Sequence, residues 1–260
     1  MTLMEFFGCT FIAFGPPFAL FLFTVARDPL RIIVLIASGF FWLLALLASS
    51  ILWFAVVPLR EQLAFGLVFS VIFQELFRLL FYKLIRKADE GLKMVSQTEQ
   101  EMHVEPKDFT NRHIMAYISG LGYGIISGAF SIVNVLADMV GPGTVGIQGD
   151  SHFFFVVTAF LTLCFVFLHT FWGVIFFHAW DKRKFQYVAI VVCSHMLVSC
   201  LTLLNQRSET HTPTYWASLL PAYIVMFLTG GLAFKIAGGS LTNLRAAITC
   251  SCKQSSYQID

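Results

Sequence analysis

Residues 153–204 read FFFVVTAFLTLCFVFLHTFWGVIFFHAWDKRKFQYVAIVVCSHMLVSCLTLL. Two apolar runs, Phe153–Ala179 and Phe185–Leu204, flank a single polar knot, Asp181-Lys182-Arg183-Lys184. Each run meets the roughly 20 apolar residues that a helix needs to cross the hydrocarbon core of a bilayer. Neither shows the alternation of a barrel strand, so both read as membrane helices. The connection is too short for anything but a tight reversal, which makes the two helices antiparallel neighbours. Its three consecutive cations place that reversal on the cytosolic side.

Outward from this hairpin, five more runs qualify: Leu3–Ala26, Leu30–Val57, Leu63–Leu84, Ile114–Val140 and Tyr215–Ala237. The fold class is therefore all-α, a polytopic membrane protein with seven transmembrane helices. The leader MTLME carries no Lys or Arg, and the first run is longer than a signal-peptide core, so it reads as a retained helix. Of the 17 Lys and Arg residues, fourteen fall in alternate segments that include the DKRK turn and the C-terminus. The intervening loops hold Arg60 and Arg207, and Arg78 lies inside the third helix. This asymmetry predicts a lumenal or extracellular N-terminus and a cytosolic C-terminus. Residues 1–244 form one membrane domain, with a cytosolic loop over 85–113 expected to be flexible, and 245–260 form a cytosolic tail.

Composition points the same way. Of 260 residues, 57% are hydrophobic and 12% are charged, half the charge of an ordinary soluble domain. The mean hydropathy of +0.76 makes lipid the solvent for most of the surface. A net charge of +2 carries no sign of nucleic-acid binding. Cys9, Cys164, Cys193 and Cys200 lie in apolar runs and behave as small hydrophobes. Cys250 and Cys252 sit in the basic tail, as acceptors for palmitoyl or as plain thiols. No Asn-x-Ser/Thr acceptor occurs.

Ionisable groups at membrane depth mark function by default. Glu75 and Arg78, three residues apart in QELFRLLFYK, share a helix face and form an expected intramembrane ion pair, with Arg78 snorkelling toward the cytosolic headgroups. His169 lies about nine residues before one end of the hairpin turn and His195 about ten after it, each ~14–15 Å deep at the helical rise. Both imidazoles thus meet near the bilayer centre and face the bundle interior. Such a pair serves as a polar contact organising helices, as a proton relay or, with Glu75 as third ligand, as a metal site. The first role is favoured, and neither a metal nor a cofactor is expected. In SGLGYGIISG, Gly120, Gly124 and Gly128 recur every four residues and form a smooth strip. It suits close helix packing, either within the bundle or as a docking face for another subunit.

Catalytic sets are missing. An intramembrane aspartyl site needs two aspartates within the membrane, but Asp138 is at a helix end and Asp150 and Asp181 are in loops. No His-Glu-x-x-His occurs for a zinc mechanism. Ser127 and His195 mimic a serine–histidine pair, but Gly124 lies three residues before Ser127 rather than two. The Asp-Arg-Tyr and Asn-Pro-x-x-Tyr boxes of seven-helix receptors are absent too.

A resemblance adds to this reading. In order, FFGCTFIAFGP, DPLRIIVLI, FFWLL, QELFRLLFYKLIRKADEGL, AYISGLGYGIISGAFSIVN, GPGTVGI, LHTFWGV, SLLPAY and AGGSL resemble the anterior-pharynx-defective-1 family, a subunit of γ-secretase, as far as about Leu244. The resemblance implies a non-catalytic seven-helix scaffold that assembles presenilin with nicastrin and the presenilin-enhancer subunit. Presenilin would then supply the aspartates that cleave membrane stubs such as those of Notch and amyloid precursor protein. It implies residence in the endoplasmic reticulum, Golgi, plasma membrane and endosomes. It also implies assembly roles for Gly120, Gly124 and Gly128, and assembly and activity roles for His169 and His195. QGDSH departs from the family pattern at Gln148 and His152. The alternative class is a small-solute or proton transporter using the His169/His195 pair.

Overall fold

A computed structural model of the chain describes residues 3–59, 62–100, 112–140, 153–205 and 214–240. Its helices are α1 (Leu3–Thr24), α2 (Pro29–Ala55), α3 (Leu63–Gln100), α4 (Arg112–Val140), α5 (Phe154–Asp181), α6 (Phe185–Leu201) and α7 (Tyr215–Ile236). Single 3₁₀ turns follow α2 at Val57–Leu59 and α6 at Thr202–Asn205. All seven helices are long and apolar enough to cross a membrane, and no strand occurs among the described residues.

Local chemistry sets the ends. Asp28 caps α2 by accepting from the Leu30 amide at 3.0 Å, with Pro29 as the first helical residue, where its missing N–H costs nothing. At the DKRK turn the Lys184 amide reaches back to the Ala179 carbonyl at 2.8 Å, and Arg183 takes a left-handed φ of 53°. That geometry usually falls to glycine, because a side chain there costs about 1–2 kcal/mol. The basic side chain is kept despite that cost.

Two boundaries differ from expectation. Helix α3 runs on to Gln100, so residues 85–100 of the expected loop are helical. Apart from Gly91, LIRKADEGLKMVSQTEQ is built largely from helix formers, and its polarity marks departure from lipid, not the end of the helix. The last turn of the expected sixth span tightens to 3₁₀. Residues 101–111, the outer stretch with Gln148 and His152, and the tail with Cys250 and Cys252 lie outside the described residues.

The helices form a closed circuit. α2 packs on α3, α3 on α6, α6 on α5, α5 on α4, and α4 returns to α2. α1 and α7 lie outside the circuit, both against α5. Half of the apolar window of α5 is buried, more than in any other span. Four glycines let α4 approach it at backbone distance. A Cβ on Gly120 would meet the Thr170 carbonyl oxygen at 2.6 Å, and one on Gly124 the Val166 carbonyl oxygen at 2.5 Å. On Gly128 it would meet the Val166 side chain at 2.7 Å, and on Gly173 of α5 the Gly120 Cα at 2.7 Å. Of the two uses left open for the strip, packing within the bundle is the one seen: the chain's own α5 fills it. Gly122, roughly 200° round the helix from Gly120, faces Leu35 and Ser38 of α2 instead.

Gly124→Leu therefore drives two backbones apart and should destabilise the subunit itself by about 1–3 kcal/mol. Gly231→Leu, where nothing lies within 4 Å of the added Cβ, should be neutral. Thermal melting of the two purified variants in mild detergent checks this; a Gly124→Leu protein that melts with wild type contradicts the packing.

A buried ionic cluster as candidate functional site

The interior of the circuit is polar. On α3, residues 74, 75 and 78 turn inward, because the opposite face of this helix carries the lipid-facing Ile72, Leu76 and Leu80. The Glu75 carboxylate meets His195 of α6, Oε1 to Nδ1, at 2.7 Å. Arg78 Nη2 lies 3.5 Å from the same oxygen. That nitrogen also donates to His169 Nδ1 of α5 at 2.8 Å, which places any proton of a neutral His169 on Nε2. The two imidazoles meet edge to face with centroids 5.0 Å apart, and Trp172 stacks on His195 at 4.5 Å. The two sequence pairs are therefore one cluster of four groups.

Arg78 is the clearest departure from expectation. It does not snorkel; it is 3% exposed, as deep as His169 at 1% and His195 at 2%. Its guanidinium lies over the Tyr123 ring at 5.0 Å and near Trp172 at 5.9 Å, so aromatic faces replace the headgroups. Among the described residues Glu75 Oε2 and Arg78 Nη1 find no hydrogen-bond partner, which leaves the cluster one acceptor and one donor in hand.

Sequence reading missed the supports around it. Trp42 of α2 donates to Gln74 Oε1 at 3.0 Å, and Tyr123 of α4 donates to the Gln74 carbonyl at 2.7 Å. The signal was present in QEL, where a glutamine beside a buried acid has to find partners of its own. Beyond Gln74, away from the basic loops, a cavity of about 430 Å³ opens among Ser70, Ser131, Thr158, Thr162 and Asn205. Among the described residues no three His, Cys, Asp or Glu side chains are grouped to hold a metal. Chemically the arrangement balances one acid against one base and locks three helices through side chains.

Removing one member of such a pair strands the other in low dielectric, at a cost on the order of 3–5 kcal/mol. Arg78→Gln and Glu75→Gln should each destabilise strongly. The double variant should recover more than about 1 kcal/mol of their summed loss, as expected for coupled neighbours. Melting curves of the three variants measure this; simple additivity would mean that the pair is not energetically coupled.

The model of the Aph-1 protein family matches residues 4–240. The chain is 55% identical to the γ-secretase subunit Aph-1 of Drosophila melanogaster, over 96% of this chain and 100% of the relative. It is 49% identical to the γ-secretase subunit Aph-1b of Danio rerio, over 97% and 96%. Against the human γ-secretase subunit APH-1B the identity is 45%, again over 97% and 96%. With the family match running through all seven helices, the chain belongs to the Aph-1 family.

Proposed function

We propose that this chain is the non-catalytic scaffold subunit of a γ-secretase complex, an intramembrane protease. The observation that carries the reading is similarity across nearly the whole chain to proteins named as γ-secretase subunits. The chemistry is consistent with it. A scaffold needs a rigid bundle with a fixed outer surface, and the glycine-fitted α4–α5 seam and the ionic cluster supply rigidity from within. His169 and His195 act indirectly, holding α5 and α6 on α3 so that the outer faces keep their shape. Partners are presenilin, nicastrin and the presenilin-enhancer subunit. Presenilin performs catalysis on membrane stubs such as those of Notch and amyloid precursor protein. The basic loops and the tail face the cytosol, and the N-terminus faces the lumen or exterior. The complex travels from endoplasmic reticulum and Golgi to plasma membrane and endosomes. A transporter would need its histidines free to bind and release a solute, whereas both Nδ1 atoms here already have partners within the chain.

Purification of the tagged chain in gentle detergent should recover presenilin, nicastrin and the enhancer subunit in constant proportion. A chain that emerges alone and moves solute in liposomes would overturn the scaffold reading. The double substitution His169→Ala, His195→Ala should lower complex recovery and substrate cleavage together. Unchanged cleavage by that variant would remove the histidines from the function.

A further inference from the structure

The polar stripe of α3 does not stop at Arg78. Tyr82 and Arg86 follow at four-residue steps toward the basic end, and both reach one carboxylate, that of Asp181, the last residue of α5. The Tyr82 hydroxyl donates to Asp181 Oδ1 at 2.8 Å. Arg86 Nε donates to the same oxygen at 2.9 Å while its Nη2 donates to Oδ2, a two-pronged grip. A carboxylate at a helix C-terminus opposes the helix dipole, so Asp181 sits where an acid needs a dedicated partner. Lys182, Arg183 and Lys184 are its chain neighbours, yet the bonds run across to α3. Arg86 and Asp181 side chains are each 13% exposed, far less than a loose surface pair.

Between this grip and the ionic cluster lies a layer of rings. Arg86 stands 5.6 Å from the Phe177 centroid on one side, and Arg78 stands 6.0 Å from that of Phe176 on the other. Both phenylalanines are fully buried. The backbone of α3 packs along α2 and α6 and approaches that of α5 sparsely at most. The α3–α5 seam is therefore closed by side chains: the cluster, the phenylalanine layer and the Asp181 grip. An aromatic constriction excludes water only while its walls are held together.

We propose that Tyr82, Arg86 and Asp181 form a clasp that closes the cytosolic mouth of the α3–α5 seam, leaving the buried ionic cluster approachable only from the opposite face, where the cavity beside Gln74 lies. The side assignment rests on the reading under Proposed function; the clasp itself needs no partner subunit. Arg86 suits the task because its planar fork fixes both the distance and the angle of the carboxylate. The clasp residues position α3 and do not touch substrate.

The test uses the full chain, with its native cysteines replaced, in sealed microsomes whose outer face is cytosolic. Val191→Cys lies one turn from His195 toward the basic turn and is fully buried, so it reports on water entering from the cytosol. A small charged thiosulfonate reagent added outside should leave it unmodified while the clasp is intact. In Arg86→Gln or Asp181→Asn, modification should be at least about tenfold faster. Ser70→Cys, in the cavity at the other end, should react equally in every variant once the microsomes are opened to admit the reagent to the lumenal side, which a general loosening would not allow. Unchanged Val191→Cys kinetics in both clasp variants overturn the proposal. If neither variant accumulates, Arg86→Lys is read instead, since it keeps the charge and loses the fork; faster modification supports the clasp and an unchanged rate overturns it. In the same sealed microsomes, a C-terminal epitope reached without permeabilisation fixes the side independently. One reached only after permeabilisation overturns the cytosolic assignment and, with it, the side of the seal.

Discussion

The approach of α4 to α5 at backbone distance is the constraint from which the rest of the bundle follows. In lipid, apolar side chains gain nothing by leaving the solvent, so helices associate through van der Waals fit and hydrogen bonds. Gly120, Gly124 and Gly173 remove the side chains that would hold the two axes apart. With α4 seated there, α5 can contact α1, α6 and α7 as well, and it becomes the central column. Its buried position is what brings His169 and Trp172 into the interior, and the ionic cluster is assembled around them.

On the other wall of the interior the problem is solved differently. Helix α3 meets α5 through long polar side chains more than through backbone, at Arg78 and again at Arg86. Small-residue packing fixes how close two helices lie, whereas a two-pronged ion pair also fixes register, because slipping one turn would break every prong at once. The chain uses the first device where contact is continuous and the second where helices are held apart by an interior.

The sequence carried the seven spans because hydrophobic length is a direct consequence of bilayer thickness, and a basic turn such as DKRK separates two spans without ambiguity. It placed Glu75 with Arg78 and His169 with His195, since helical spacing and a short hairpin are local facts. It did not join the two pairs, because that depends on how α3 sits against α5 and α6, which no local pattern encodes. The same gap explains the reading of Arg78 as a snorkelling residue: distance from the helix end was legible, but the Tyr123 and Trp172 rings waiting for the guanidinium were not. The glycine strip was legible as a packing surface, yet its partner was not, and it proved to be the next helix of the same chain. Residues 85–100 are helical against expectation for a related reason, since their polarity marks a change of solvent and not flexibility.

Why a γ-secretase subunit should keep an acid, a guanidinium and two imidazoles in its centre is a question of specificity more than of stability. A well-packed apolar interior of the same volume is often as stable as a buried ion pair. An apolar interior, however, tolerates sliding and rotation of its helices, because one leucine contact is much like the next. The cluster does not: Glu75 satisfies His195 and Arg78 satisfies His169 in one register of α3 against α5 and α6. A subunit of a complex meets its neighbours through its outer faces, and those faces are set by register. The expensive groups are inside, and what they hold in place is the outside.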